Sequence, residues 1–228
     1  MYIILVRHGQ TQLNAQNITQ GSEVDPPINI LGKKQAKLTG KYLAKHFKIN
    51  KIYSSPLLRA KQTANLIAKQ LNFNKRIILE TNLKEQKKGI FSGLNKKEIK
   101  KIIKNNKTLN KINKLYDINN LNFLIKYDDY MMKWSKIIKS ENIAQITARC
   151  MKIFNKIKKN KGNILIVSHG SFIRFLISKL TNINNHFIPH NIIKNSSPNC
   201  HITIIEIVNN IPHFLKIRDN QHLKKLYF

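Results

Sequence analysis

Two short apolar runs in this chain stop on the same pair of residues. Tyr2 to Val6 leads into Arg7-His8-Gly9, and Ile164 to Val167 leads into Ser168-His169-Gly170. Continuous apolar runs of this length read as strands buried on both faces. In sheets built from such strands, ligands collect beyond the carboxyl ends. The chain must therefore fold so that two imidazoles, one preceded by an arginine, can meet at one edge of a sheet.

The rest of the chain supplies the layers such a sheet needs. Helical spacing follows Gly32, with Ala36, Leu38, Tyr42, Leu43 and Phe47 apolar; Lys51 to Ser54 reads as a strand. Leu57 to Leu71 carries the stripe Leu58, Ala60, Ala64, Ile67, Ala68, with Pro56 suited to the first turn and Arg59 near the N-terminus. Ile77 to Leu79 is short and apolar. Ile143 to Ile157 and Ser171 to Leu180 read as helices, and His201 to Ile207 with Pro212 to Ile217 as closing strands around Asn209-Asn210. Alternating strands and helices predict a three-layer α/β/α fold with a mainly parallel sheet. The expected organisation is one catalytic domain over 1–228, with a Lys/Asn/Ile-rich helical insertion or cap at about 95–139.

Composition excludes several classes. Hydrophobic residues make up 42% and charged residues 23%, too apolar for a disordered chain. No apolar run reaches the roughly 18 residues of a membrane span, and Met1 leads directly into a strand without a leader-like segment. Cys150 and Cys200 form neither a disulfide framework nor a metal pattern, and a cytoplasmic location with both thiols free is the expectation. The formal net charge of +30 invites a nucleic-acid reading, but Lys, Ile and Asn together fill 101 of 228 positions, and all three have A/T-rich codons. The lysines are scattered through every element without an Arg cluster or interleaved aromatics, so only non-specific nucleic-acid affinity is expected. The six arginines, Arg7, Arg59, Arg76, Arg149, Arg174 and Arg218, are more informative in so lysine-rich a chain.

Arg7 and Arg59 offer two guanidinium forks to the histidine edge, which suits paired phosphoryl oxygens. Glu85, one of 11 acids, lies between a strand and the cap, where a proton donor can stand. Arg149 and Arg174 read as structural ion-pair partners behind the site. His46, His186, His190, His213 and His222 lack ligand spacing and read as surface or loop residues, and Cys200 as a small buried hydrophobe.

These blocks resemble the histidine phosphatase superfamily, which includes cofactor-dependent phosphoglycerate mutases and fructose-2,6-bisphosphatases. The run Leu5-Val6-Arg7-His8-Gly9-Gln10-Thr11 is followed by Asn14, then by Gln20-Gly21 and Asp25-Pro26. Ser54-Ser55-Pro56-Leu57-Leu58-Arg59-Ala60-Lys61-Gln62-Thr63-Ala64 resembles the family's second arginine helix, and Val167-Ser168-His169-Gly170 with Arg174 its second histidine strand. Ser140-Glu141 with Gln145 and Arg149, and Pro198-Asn199-Cys200, match in order.

The resemblance implies a phosphoglycerate mutase-like fold and a hydrolase in which His8 attacks phosphorus and becomes a phosphohistidine that water hydrolyses. It assigns Arg7, Asn14, Gln20, Arg59, His169 and Gly170 to the phosphoryl group, and makes Glu85 the acid that protonates the leaving oxygen. No cofactor and no metal are implied, since the arginines supply the positive field. The implied partner is a small phosphorylated substrate of sugar bisphosphate or phosphoglycerate type, and the Gln20-Gly21…Asp25-Pro26 loop looks more like the bisphosphatases than the mutases. The alternatives are a phosphoglycerate mutase, or a non-catalytic module binding a phosphorylated ligand or nucleic acid. One segment departs from the family: Glu-Arg ahead of an aromatic-Gly is replaced by Lys84-Glu85-Gln86-Lys87-Lys88-Gly89, which removes a fork and a packing wall from the leaving-group side.

Overall fold

A computed structural model describes residues 1–114, 127–181 and 198–226. Six strands form one sheet in the order β3-β2-β4-β1-β5-β6: β1 Tyr2–Arg7, β2 Ile49–Ser54, β3 Ile78–Leu79, β4 Asn163–Ser168, β5 Ile202–Val208 and β6 Ile211–Asp219. The pairings β1–β4, β2–β4 and β2–β3 are parallel, whereas β5 runs antiparallel to β1 and β6 antiparallel to β5. Asn209 and Asn210, at φ 50° and 65°, make the tight turn between the last two strands.

The side-chain alternation of β1 builds the layers. Ile3 and Leu5 face a core with Ile146, Ile153, Phe154 and Phe172. Ile4 and Val6 face the opposite core, with Leu43, Ala60, Ala64 and Ile67. Beyond the single-turn helix α1 (Gln12–Ala15), helices α2 (Ile30–His46) and α3 (Leu58–Gln70) therefore cover one face of the sheet. Helices α7 (Ile143–Ile157) and α8 (Gly170–Leu180) cover the other. The expected three-layer α/β/α arrangement is what the chain adopts.

Asn95 caps α4 (Lys96–Asn105) reciprocally with Glu98, at the start of the segment read from the sequence as an insertion or cap. It continues as α5 (Lys107–Lys114) and α6 (Tyr127–Ile138), and residues 115–126 lie outside the described residues. Phe91, Leu109 and Ile138 pack there with Ile99, Ile102, Ile103, Trp134 and Ile137, a small core of the cap's own. Gly89, at φ +58°, meets it: a Cβ there would run into the carbonyl of Ile138.

Pro56 departs from expectation. α3 begins at Leu58 after Leu57, one residue beyond the prolyl ring's reach into a first turn. Its end is held instead by Asp25, whose Oδ2 accepts from Leu58 N at 2.7 Å. His222 is a second correction. It is half-buried, with Nε2 2.9 Å from Thr39 Oγ1 and its ring beside Tyr42, because the turn Gln221–Leu226 folds onto α2. His46 and His213 are exposed, and His186 and His190 lie outside the described residues. Cys150 and Cys200 are free and buried.

Candidate active site

The strand order places the carboxyl ends of β2, β4 and β1 side by side, and the backbone joins them. His8 N donates to Ser168 O at 2.9 Å, and Ser55 N to Val167 O at 3.0 Å. His8 and His169, 2% and 0% exposed, therefore stand with ring centroids 5.1 Å apart. His8 Nδ1 lies 2.8 Å from Gly9 O. A carbonyl only accepts, so Nδ1 carries the proton and Nε2 keeps its lone pair. His169 Nε2 meets Ser55 Oγ at 2.8 Å, and its Nδ1 has no partner among the described residues.

Burial holds both imidazoles well below their ordinary pKa, and the charges of Arg7 and Arg59 push the same way. The pair is neutral at pH 7 and fit for nucleophilic work. Arg7, drawn down to about 10 by burial, is still charged there. Gly170 opens α8 against it: a Cβ at this position would stand 3.5 Å from Arg7 Nε.

Arg59 differs from the free fork expected. Its Nη1 donates to Val24 O at 2.9 Å and Asp25 Oδ1 at 3.1 Å, and its Nη2 to Gly21 O at 2.7 Å, leaving the buried Nε without a partner among the described residues. Most of this side chain holds the 21–25 loop, so Nε and the second Nη2 hydrogen are what it can offer an anion. Thr63 Oγ1, which donates to Arg59 O at 2.7 Å, accepts Gly9 N at 2.9 Å and fixes the loop after His8 to α3.

Asn14 is also partly structural. Its Oδ1 accepts from Thr11 N, Thr11 Oγ1 and Asn199 Nδ2, at 3.2, 3.1 and 3.1 Å, so only its Nδ2 donor is left for a ligand. Gln20 is buried, its Oε1 has no partner among the described residues, and no hydrogen bond joins it to His8 or His169.

Glu85 reaches the site from the cap side. Its Oε2 accepts from Ser171 N at 3.2 Å, in the first turn of α8, and its Oε1 from Gln86 N at 2.8 Å. Burial alone would raise its pKa. Lys88, the two backbone N–H groups and Arg59 outweigh that, and the carboxyl lies below its usual value. Glu23 ties this segment to the 21–25 loop, accepting from Gly89 N at 2.7 Å and Lys88 N at 3.2 Å.

Arg149 is the structural ion-pair partner expected, gripping Glu141 at two points, 2.6 and 2.8 Å. Arg174 is not: it makes no ion pair among the described residues and lies with its guanidinium carbon 4.9 Å from the Phe175 ring centre. Sequence reading missed the roles of Ser55, Thr63, Glu23 and Asn199, of which Ser55, Thr63 and Asn199 lie inside matched blocks. Asn199 Nδ2 donates to His8 O at 3.0 Å as well as to Asn14. His201, fully buried with neither ring nitrogen bonded among the described residues, was also missed.

A buried, neutral histidine pair flanked by two arginines and a carboxylate has the groups that phosphoryl transfer needs. The comparisons agree with that class. Residues 3–220 match the model of the histidine phosphatase superfamily (branch 1), and the chain belongs to that family and is an enzyme of phosphatase type. A 2,3-bisphosphoglycerate-dependent phosphoglycerate mutase of Buchnera aphidicola is 34% identical over 198 residues, 80% of this chain and 85% of that one. The fructose-2,6-bisphosphatase TIGAR of Xenopus laevis is 36% identical over 104 residues, which span 45% of this chain and only 38% of that protein. Among solved structures, phosphoserine phosphatase of Entamoeba histolytica in complex with 3-phosphoglyceric acid superposes with a TM-score of 0.73 at 26% identity, covering 97% of this chain and 98% of the other.

Proposed function

We propose that the protein is a metal-independent phosphatase of a small phosphorylated metabolite, of sugar bisphosphate or phosphoglycerate type, acting through a phosphohistidine at His8. The observation that carries this reading is the bond from His8 Nδ1–H to Gly9 O, which leaves Nε2 unprotonated beside His169. Nε2 attacks phosphorus and the bond to the leaving oxygen breaks. Arg7, Arg59 Nε and His169 stabilise the charge spread over the three transferring oxygens, and the Asn14 amide donates to the same group.

Glu85 is ionised in the unliganded site. The incoming dianion raises its affinity for a proton, which it then passes to the leaving oxygen. As carboxylate it next takes a proton from the water that attacks the phosphohistidine, and inorganic phosphate leaves. The reading predicts hydrolysis of an aryl phosphate in EDTA. Assay of 3-phosphoglycerate with and without 2,3-bisphosphoglycerate separates hydrolysis from mutase turnover, and inorganic phosphate formed without the bisphosphate supports the phosphatase. Ligand binding without any turnover would replace it with a phosphate-binding module.

A further inference from the structure

Glu23 sits between two residues that Arg59 holds. Arg59 Nη2 donates to Gly21 O at 2.7 Å and Nη1 to Val24 O at 2.9 Å, and from between them the Glu23 carboxylate reaches across to the acid segment. There Oε1 accepts from Gly89 N at 2.7 Å and Oε2 from Lys88 N at 3.2 Å. We propose that Glu23 is a positioning residue for Glu85, setting where the acid stands relative to the phosphoryl group that Arg59 helps to bind. The inference rests on the phosphatase reading above and adds to it a link between the two ends of the reacting bond.

Two routes run from Glu23 to Glu85. The first is the backbone: Lys88 lies three residues after Glu85, and two consecutive N–H groups held by one carboxylate fix the course of the chain between them. Gly21, at φ +65°, lets the two segments meet, because a Cβ there would strike Glu23 Oε2 and Lys88 Cβ. The second route is the charge of Lys88. Burial lowers the Lys88 pKa, Glu85, Glu23 and Glu141 oppose that, and Arg174 adds to it. Lys88 is in turn the strongest influence that lowers the Glu85 pKa against burial. Glu23 thus steadies the lysine that sets the proton affinity of the acid.

An exposed loop glutamate ordinarily does no more than close a loop. Here the loop is already closed at the far end of the segment. Thr19 N donates to Leu94 O at 2.9 Å, Gly93 N to Thr19 O at 2.7 Å and Ser92 Oγ to Gln20 O at 2.6 Å. Glu23 is the loop's hold on the near end, beside Glu85. A small displacement of an acid that must meet a leaving oxygen within hydrogen-bond reach is costly, so this hold bears on rate rather than on folding alone.

The test uses the leaving group. The alkoxide of an alkyl phosphate needs a proton to leave, whereas 4-nitrophenolate departs as a stabilised anion, so a misplaced acid slows the first and spares the second. The alkyl substrate is 3-phosphoglycerate or a sugar bisphosphate, whichever turns over faster. Release of inorganic phosphate gives kcat/KM for both kinds of substrate in the native chain, Glu23→Ala, Glu23→Gln, Glu85→Gln and the double variant of Glu23→Ala with Glu85→Gln. Glu23→Ala is expected to lower the ratio of alkyl to aryl phosphate about tenfold, mainly through kcat. Glu23→Gln, which keeps one acceptor oxygen, should lower it less, and the double variant no further than Glu85→Gln alone. An equal fall on both substrates, or a ratio that falls further in the double variant than in Glu85→Gln, makes Glu23 a structural residue only and overturns the inference while leaving the phosphatase reading intact. If Glu85→Gln itself leaves the ratio unchanged, or the native chain hydrolyses no alkyl phosphate, that reading fails and the inference falls with it. Should Glu23→Ala fail to fold, Glu23→Gln gives the same comparison.

Discussion

His8 gives its Nδ1 proton to the carbonyl of the next residue, Gly9, across 2.8 Å, and this one bond selects the tautomer that can attack. It also ties the nucleophile to a loop that Thr63 holds from the other side. His8→Asn is expected to lower kcat by roughly 10³-fold or more, the scale seen when a nucleophile is removed. Its melting temperature should stay near that of the native chain.

Ser55 orients the second histidine through Oγ to Nε2 at 2.8 Å. Ser55→Ala removes that bond and leaves His169 buried with neither nitrogen satisfied. A loss of about 1 kcal/mol of orientation corresponds to a roughly five- to tenfold fall in kcat/KM. Steady-state kinetics on an aryl phosphate measure it.

Asp25 has two structural duties, accepting from Arg59 Nη1 and from the N-terminal N–H of α3 at Leu58. Its side chain is 33% exposed, so the ion pair itself is partly screened. Asp25→Ala is expected to cost about 2 kcal/mol in urea unfolding, mostly through the lost helix-end bond and the buried guanidinium left short of a partner. KM should rise as the 21–25 loop loosens.

Three fully or nearly buried histidines, His8, His169 and His201, have pKa values pushed well below the ordinary one by burial. The sign follows from linkage. Between the lowered folded pKa and about 6.5 in the unfolded chain, the unfolded state binds more protons, so stability rises with pH through that window and is complete above it. Thermal melts should therefore fall as pH drops from 7 to 5. His201→Leu removes one of the three and should flatten that slope while adding roughly 1 kcal/mol at pH 7, because neither nitrogen of His201 has a hydrogen-bond partner among the described residues.

The paired His-Gly strand ends were legible because the chemistry and the hydrophobic run adjoin in sequence. The same held for the α7 boundaries and the Asn209-Asn210 turn, where local pattern and tertiary position agree. Arg59 was misjudged in its detail because its Nη groups are claimed by carbonyls of residues 21 and 24, and backbone acceptors carry no residue-type signal. Arg174 was read as an ion-pair partner, since helical arginines behind a site commonly find a carboxylate, but among the described residues no carboxylate pairs with it. His201 and Glu23 gave no local pattern at all, because their surroundings come from elements far away in the chain.

The central claim is that His8 carries the phosphoryl group. Protein incubated with ³²P-labelled substrate in EDTA and quenched in alkali is expected to retain label that is stable to base, lost in mild acid and mapped to His8, with none in His8→Ala. Label that is absent from the native chain during turnover, or that persists in His8→Ala, would contradict the account.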